Sequence, residues 1–125
     1  MALALDLSAE QRRAIAEIRT SRWTDGLGDA LRRHRDSRRA LEEAISGDAA
    51  SRDAVAVAAR AHADAEEALA LERRKTRLAI EAILTPDQRA KLDDLRARRE
   101  ERRGRAFAAR DAWARAGNGD RPTNP

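Results

Sequence analysis

Between Gly47 and Pro86 the chain contains neither glycine nor proline. Alanine, leucine and charged residues dominate this stretch, so it reads as one unbroken helix from about Asp48 to Ile83. At 1.5 Å per residue that helix is roughly 54 Å long. A rod of this length needs a surface to lie on, because helices draw most of their stability from packing an apolar face.

The rest of the chain supplies one. Leu27, Leu31, Leu41 and Ile45 mark a face of a preceding helix, and Ser46-Gly47-Asp48 reads as a stop followed by a fresh start, with Gly47 as the C-terminal cap. A short turn makes the two helices antiparallel neighbours. If the hairpin is symmetric about that turn, Leu41 faces Val55, Leu31 faces Ala65 and Leu27 faces Leu69. His34 then faces His62, and these are the chain's only two histidines.

Two short motifs set the remaining helix starts. In "LSAEQRRAI" Ser8 and Gln11 fit a capping box, and in "LTPDQRAKL" Thr85 and Gln88 repeat it. Pro86 falls at the first helical position there, where its fixed φ helps and its missing N–H costs nothing. The first helix is expected to end near Arg22, with a break or kink at Asp25-Gly26-Leu27-Gly28. The last is expected to run from Pro86 to about Ala116, closing a helical domain of residues 1–116. Residues 117–125 read as a disordered tail.

Composition narrows the function classes. The 125 residues are 38% charged and only 2% aromatic, with a mean hydropathy of −0.77. That leaves a thin core, which is a reason to expect a partner subunit, and no run long enough to span a membrane. Cysteine is absent, which excludes disulfides, thiolate metal sites and cysteine nucleophiles. No Ser-His-Asp spacing, HExxH motif or phosphate loop is present, so an enzyme is not expected. The opening "MALALDLS" lacks a basic segment ahead of an apolar one, so any export signal or anchor is expected to lie outside this sequence.

Two features could carry binding. His34 and His62 sit on the apolar stripes of their helices by heptad spacing, and they read either as seam residues or as candidate ligands of a divalent metal or a pH switch. Glu66, four residues beyond His62, could join them, and two histidines alone make only a weak metal site. No cofactor is therefore expected, with a divalent metal held by His34 and His62 as the alternative. The second feature is the run "RARREERRGR" from Arg96 to Arg105. Residues 85–125 hold 11 basic against 7 acidic residues. The run could bind nucleic acid, anionic surfaces or acidic protein segments, or it could be a salt-bridged solvated face. Interleaved Glu100 and Glu101 and the near absence of aromatics argue against nucleic acid.

The paired boxes, built on Leu7, Ser8 and Gln11 and on Leu84, Thr85, Pro86 and Gln88, resemble the LTxxQ-motif family of periplasmic stress proteins. That family includes Spy-like and CpxP-like chaperones and related periplasmic heavy-metal sensors. The resemblance covers about residues 5–105 and implies an all-α fold of four helices, a long antiparallel helical hairpin with a hooked first helix, dimerised into a basic cradle. It implies an ATP-independent chaperone or envelope-stress regulator in the periplasm. Expected partners are a second copy, unfolded or misfolded clients and a membrane sensor protein. The client-binding face expected on the third and fourth helices uses Arg73, Arg74, Arg77, Arg96, Arg98, Arg99, Arg102, Arg103 and Arg105. The sensor branch is expected to place His and Met one turn apart before the second box. Here those positions hold Ile80 and Thr76, which leaves a periplasmic heavy-metal-binding sensor or resistance protein as the alternative to the chaperone reading.

Overall fold

A computed structural model describes residues 4–47 and 51–117, all of the regular structure among them helical. The elements are α1 (Ala9–Arg22), a π-helical turn (Trp23–Leu27), α2 (Gly28–Ser46), α3 (Arg52–Glu81) and α4 (Pro86–Gly117). Residues 118–125, most of the expected tail, lie outside the described residues, as does Asp48, the expected start of the third helix. The described α3 starts at Arg52, where the Ser51 hydroxyl accepts from the Ala54 N–H at 3.1 Å.

The expectation of four separate helices is corrected at Gly26. Its backbone leaves the helical region (φ 165°, ψ −27°), yet the Gly28 N–H still donates to the Trp23 carbonyl five residues back. That π-type bond carries the ladder across the kink, so α1 and α2 form one bent helical run. Three runs result among the described residues. The first helix does not hook away, either. Gln11 meets Ile83, Arg22 meets Glu72 and His34 meets His62, in that order, so the antiparallel pairing with α3 persists from α2 through α1.

The packing falls into two units, Leu7–Leu84 and a second one comprising residues 4–6 with 85–117. The first is the hairpin. Its core is a thin row of Ile15, Ala30, Ala65, Leu69 and Leu84, and only Leu69, at 1% exposure, is fully buried. In the second unit Leu5 and Leu92 are buried, while every residue of α4 from Ala97 onward is exposed. Ion pairs one turn apart, Arg98–Asp94 at 3.0 Å and Arg105–Glu101 at 3.9 Å, brace that exposed stretch.

Two glycines have opposite roles. A Cβ on Gly28 would sit 2.9 Å from the Trp23 carbonyl oxygen and 3.0 Å from its ring, so the close approach inside the π turn requires glycine. Gly104 has nothing within 4 Å. Thermal melts are expected to show Gly28→Ala losing about 1–3 kcal/mol and Gly104→Ala gaining about 0.5–1 kcal/mol from helix propensity.

Candidate functional site

Both capping boxes form. The Ser8 Oγ accepts from the Gln11 N–H at 3.1 Å, and the Gln11 side-chain oxygen accepts from the Ser8 N–H at 3.0 Å. Thr85 and Gln88 exchange the same two bonds at 3.2 and 3.0 Å. Each glutamine also uses its amide nitrogen. Gln11 Nε2 donates to the Ile83 carbonyl at 3.3 Å, tying the start of α1 to the turn after α3. Gln88 Nε2 donates to the carbonyls of Leu5 and Asp6 at 3.2 and 3.4 Å, holding the segment before the first box onto the start of α4. A glutamate could cap either helix but has no donor for this second task. The cap is local and so is legible in the sequence, whereas the amide's partner is distant in the chain and leaves no local pattern.

The two histidines meet as expected, with ring centroids 5.0 Å apart. Glu66 lies between them: His34 Nε2 bonds its Oε1, and His62 Nε2 is 4.0 Å from the same oxygen. Ser37, which the sequence reading did not single out, orients the pair. Its hydroxyl donates to the His34 carbonyl at 2.9 Å and lies 3.1 Å from His62 Nδ1. The His34 hydrogen bond holds the Glu66 carboxyl below its ordinary value. Desolvation opposes this, and the charges of His34, His62 and Arg73 add to it.

A second polar cluster lies farther along the hairpin. Glu72 bonds Arg22 across the seam and Lys75 at 2.7 Å on its own helix. The Lys75 hydrogen bond is the largest influence lowering the Glu72 carboxyl, followed by opposing desolvation and then the charges of Lys75 and Arg22. A depressed carboxyl contributes stability above its unfolded value, near 4.5, and loses it as pH falls through the lower folded value. Melts over about pH 3–6 are therefore expected to show the acid decline flattened in Glu72→Gln.

The nine expected client-binding arginines divide between the units. Arg73, Arg74 and Arg77 lie on α3, and the other six on α4. Arg77 pairs with Glu81 at 2.7 Å and Arg96 with Asp93 at 3.6 Å, while Arg98 and Arg105 make the pairs given above. Arg73, Arg74, Arg99, Arg102 and Arg103 form no ion pair among the described residues. Large apolar groups are exposed as well: Val57, Leu71 and Leu78 on α3, and Phe107 (74%) and Trp113 (79%) on α4.

A helical hairpin and a further helix, with glutamine capping boxes at the starts of α1 and α4 and no helix among the described residues long and apolar enough to cross a membrane, define the class. The family model described as LTXXQ motif family protein matches residues 1–96, and the chain belongs to that family. No curated protein and no solved structure matches it.

Proposed function

We propose that this protein is an ATP-independent chaperone or envelope-stress regulator of the periplasm, acting as a homodimer that holds partly unfolded proteins and catalyses no reaction. Family membership supports the class. The observation that carries the reading is the outer part of α4, exposed on every side and bearing Arg98, Arg99, Arg102, Arg103 and Arg105 ahead of exposed Phe107 and Trp113.

Such a surface suits loose holding. Arginines attract acidic segments over roughly 8 Å at physiological ionic strength, and scattered apolar side chains then add weak contacts. A thin set of contacts keeps release easy. The Arg73, Arg74 and Arg77 cluster beside Leu71 and Leu78 offers the same combination on α3.

The chain's two tryptophans, Trp23 and Trp113, make the reading measurable. In a Trp23→Phe variant, adding an unfolded, acidic, tryptophan-free client is expected to shift Trp113 emission to the blue. The shift weakens as salt rises, and Arg102→Glu with Arg103→Glu slows association roughly tenfold. Emission that stays constant across the titration would contradict client binding on α4.

A further inference from the structure

The geometry points to a binding site for a borderline divalent cation of the zinc class, formed by His34 of α2 with His62 and Glu66 of α3. Nothing in the client-holding reading requires this site.

Position brings the three groups together. His62 and Glu66 are one helical turn apart on a single face of α3, and the hairpin register sets His34 opposite them. One ligand atom from each residue lies within 4.8 Å of the other two. Metal–nitrogen and metal–oxygen bonds of roughly 2.0–2.2 Å put ligand atoms on one tetrahedral ion about 3.3 Å apart. The ion replaces the proton between His34 Nε2 and Glu66 Oε1, opening that pair while the wider His62 gap closes, which needs a rotation of the mostly exposed Glu66 side chain and small tilts of the rings.

Hydrogen bonding selects the nitrogen that is available. Ser37 has one hydroxyl proton, and it is given to the His34 carbonyl. With that proton on the carbonyl the Ser37 oxygen accepts from His62 Nδ1–H, the tautomer this contact favours. In that tautomer Nε2 carries the lone pair, 4.0 Å from the Glu66 oxygen, which is the nitrogen a metal needs. This outer partner fixes the tautomer as one does for metal-bound histidines in general.

The donor set selects the ion. Two imidazoles and one carboxylate suit Zn2+, Ni2+ or Cu2+, whereas Cu+ prefers sulfur and Mg2+ and Ca2+ prefer oxygen. Three protein ligands leave a fourth position for water. A bound ion bridges α2 to α3, so it stabilises the folded hairpin over the unfolded chain.

Calorimetric titration of the full chain with zinc chloride, in a buffer that does not chelate, is expected to show one ion per chain. The melting temperature should rise with zinc concentration. Binding is expected to vanish in His34→Ala and His62→Ala, weaken about 100-fold in Glu66→Gln and weaken roughly tenfold in Ser37→Ala. Far-UV circular dichroism establishes that each variant is helical. Should a histidine variant not fold, Glu66→Gln decides, since its side chain is mostly exposed and its helix position is unchanged. No binding at about 1 mM zinc, far above a specific site's range, would overturn the site, as would a titration that Glu66→Gln leaves unaltered.

Discussion

Leu69→Ala is expected to remove about 2–5 kcal/mol of folding stability, the largest effect of any single truncation in the hairpin. Leu69 is the one large side chain among the described residues that is fully buried. Its buried α3 neighbour, one turn away, is the small Ala65. A chain of this size holds roughly 5–15 kcal/mol in total, and the loss should lower the melting temperature by roughly 10 °C or more. Ile45→Ala provides the contrast. That side chain is 66% exposed, and its truncation should stay within about 0.5 kcal/mol. Equal losses at the two positions would show that the hairpin is not held by this row of contacts.

The second large effect concerns the motif glutamines, and its sign is the informative part. In an isolated helix, glutamine to glutamate at the third position should stabilise by about 0.3–1 kcal/mol, because it keeps the capping box and adds negative charge near the helix N-terminus. In this protein Gln88→Glu is expected to destabilise by about 1–3 kcal/mol. The substitution removes the donor to the Leu5 and Asp6 carbonyls and points a carboxylate at both. Gln11→Glu loses one bond, to Ile83, and should cost less. Urea melts of both variants, set beside peptides of the two helix starts, separate the local cap from the distant tie.

How far the sequence was readable follows the range of each interaction. The Ser8 and Thr85 caps, Pro86 at its helix start and Gly47 at the end of α2 depend on neighbours within a few residues, and all are where the pattern put them. The His34–His62 contact is long-range but was legible, because antiparallel pairing through a short turn carries heptad spacing across the seam. Other features were hidden. Ser37 bridges the two histidines because its hydroxyl meets the His34 carbonyl and the His62 ring at once, a fact of geometry with no sequence pattern. The Arg22–Glu72 bond likewise joins residues that no periodicity pairs. At Asp25-Gly26-Leu27-Gly28 the sequence announces an interruption without saying whether hydrogen bonding stops or shifts by one residue, and it shifts. In α4 no large apolar residue stands between Leu95 and Phe107, and from Ala97 the helix is exposed throughout.

Holding of unfolded chains without nucleotide is the central claim, and light scattering of an aggregating client tests it most directly. An unrelated protein unfolding by heat or reduction is mixed with this chain at near-equal molar ratio, with no ATP present. Delayed scattering is expected, with the delay shrinking as salt screens the arginines of α3 and α4. Scattering that rises on the same time course with and without the chain, at low salt and equal ratio, would contradict it.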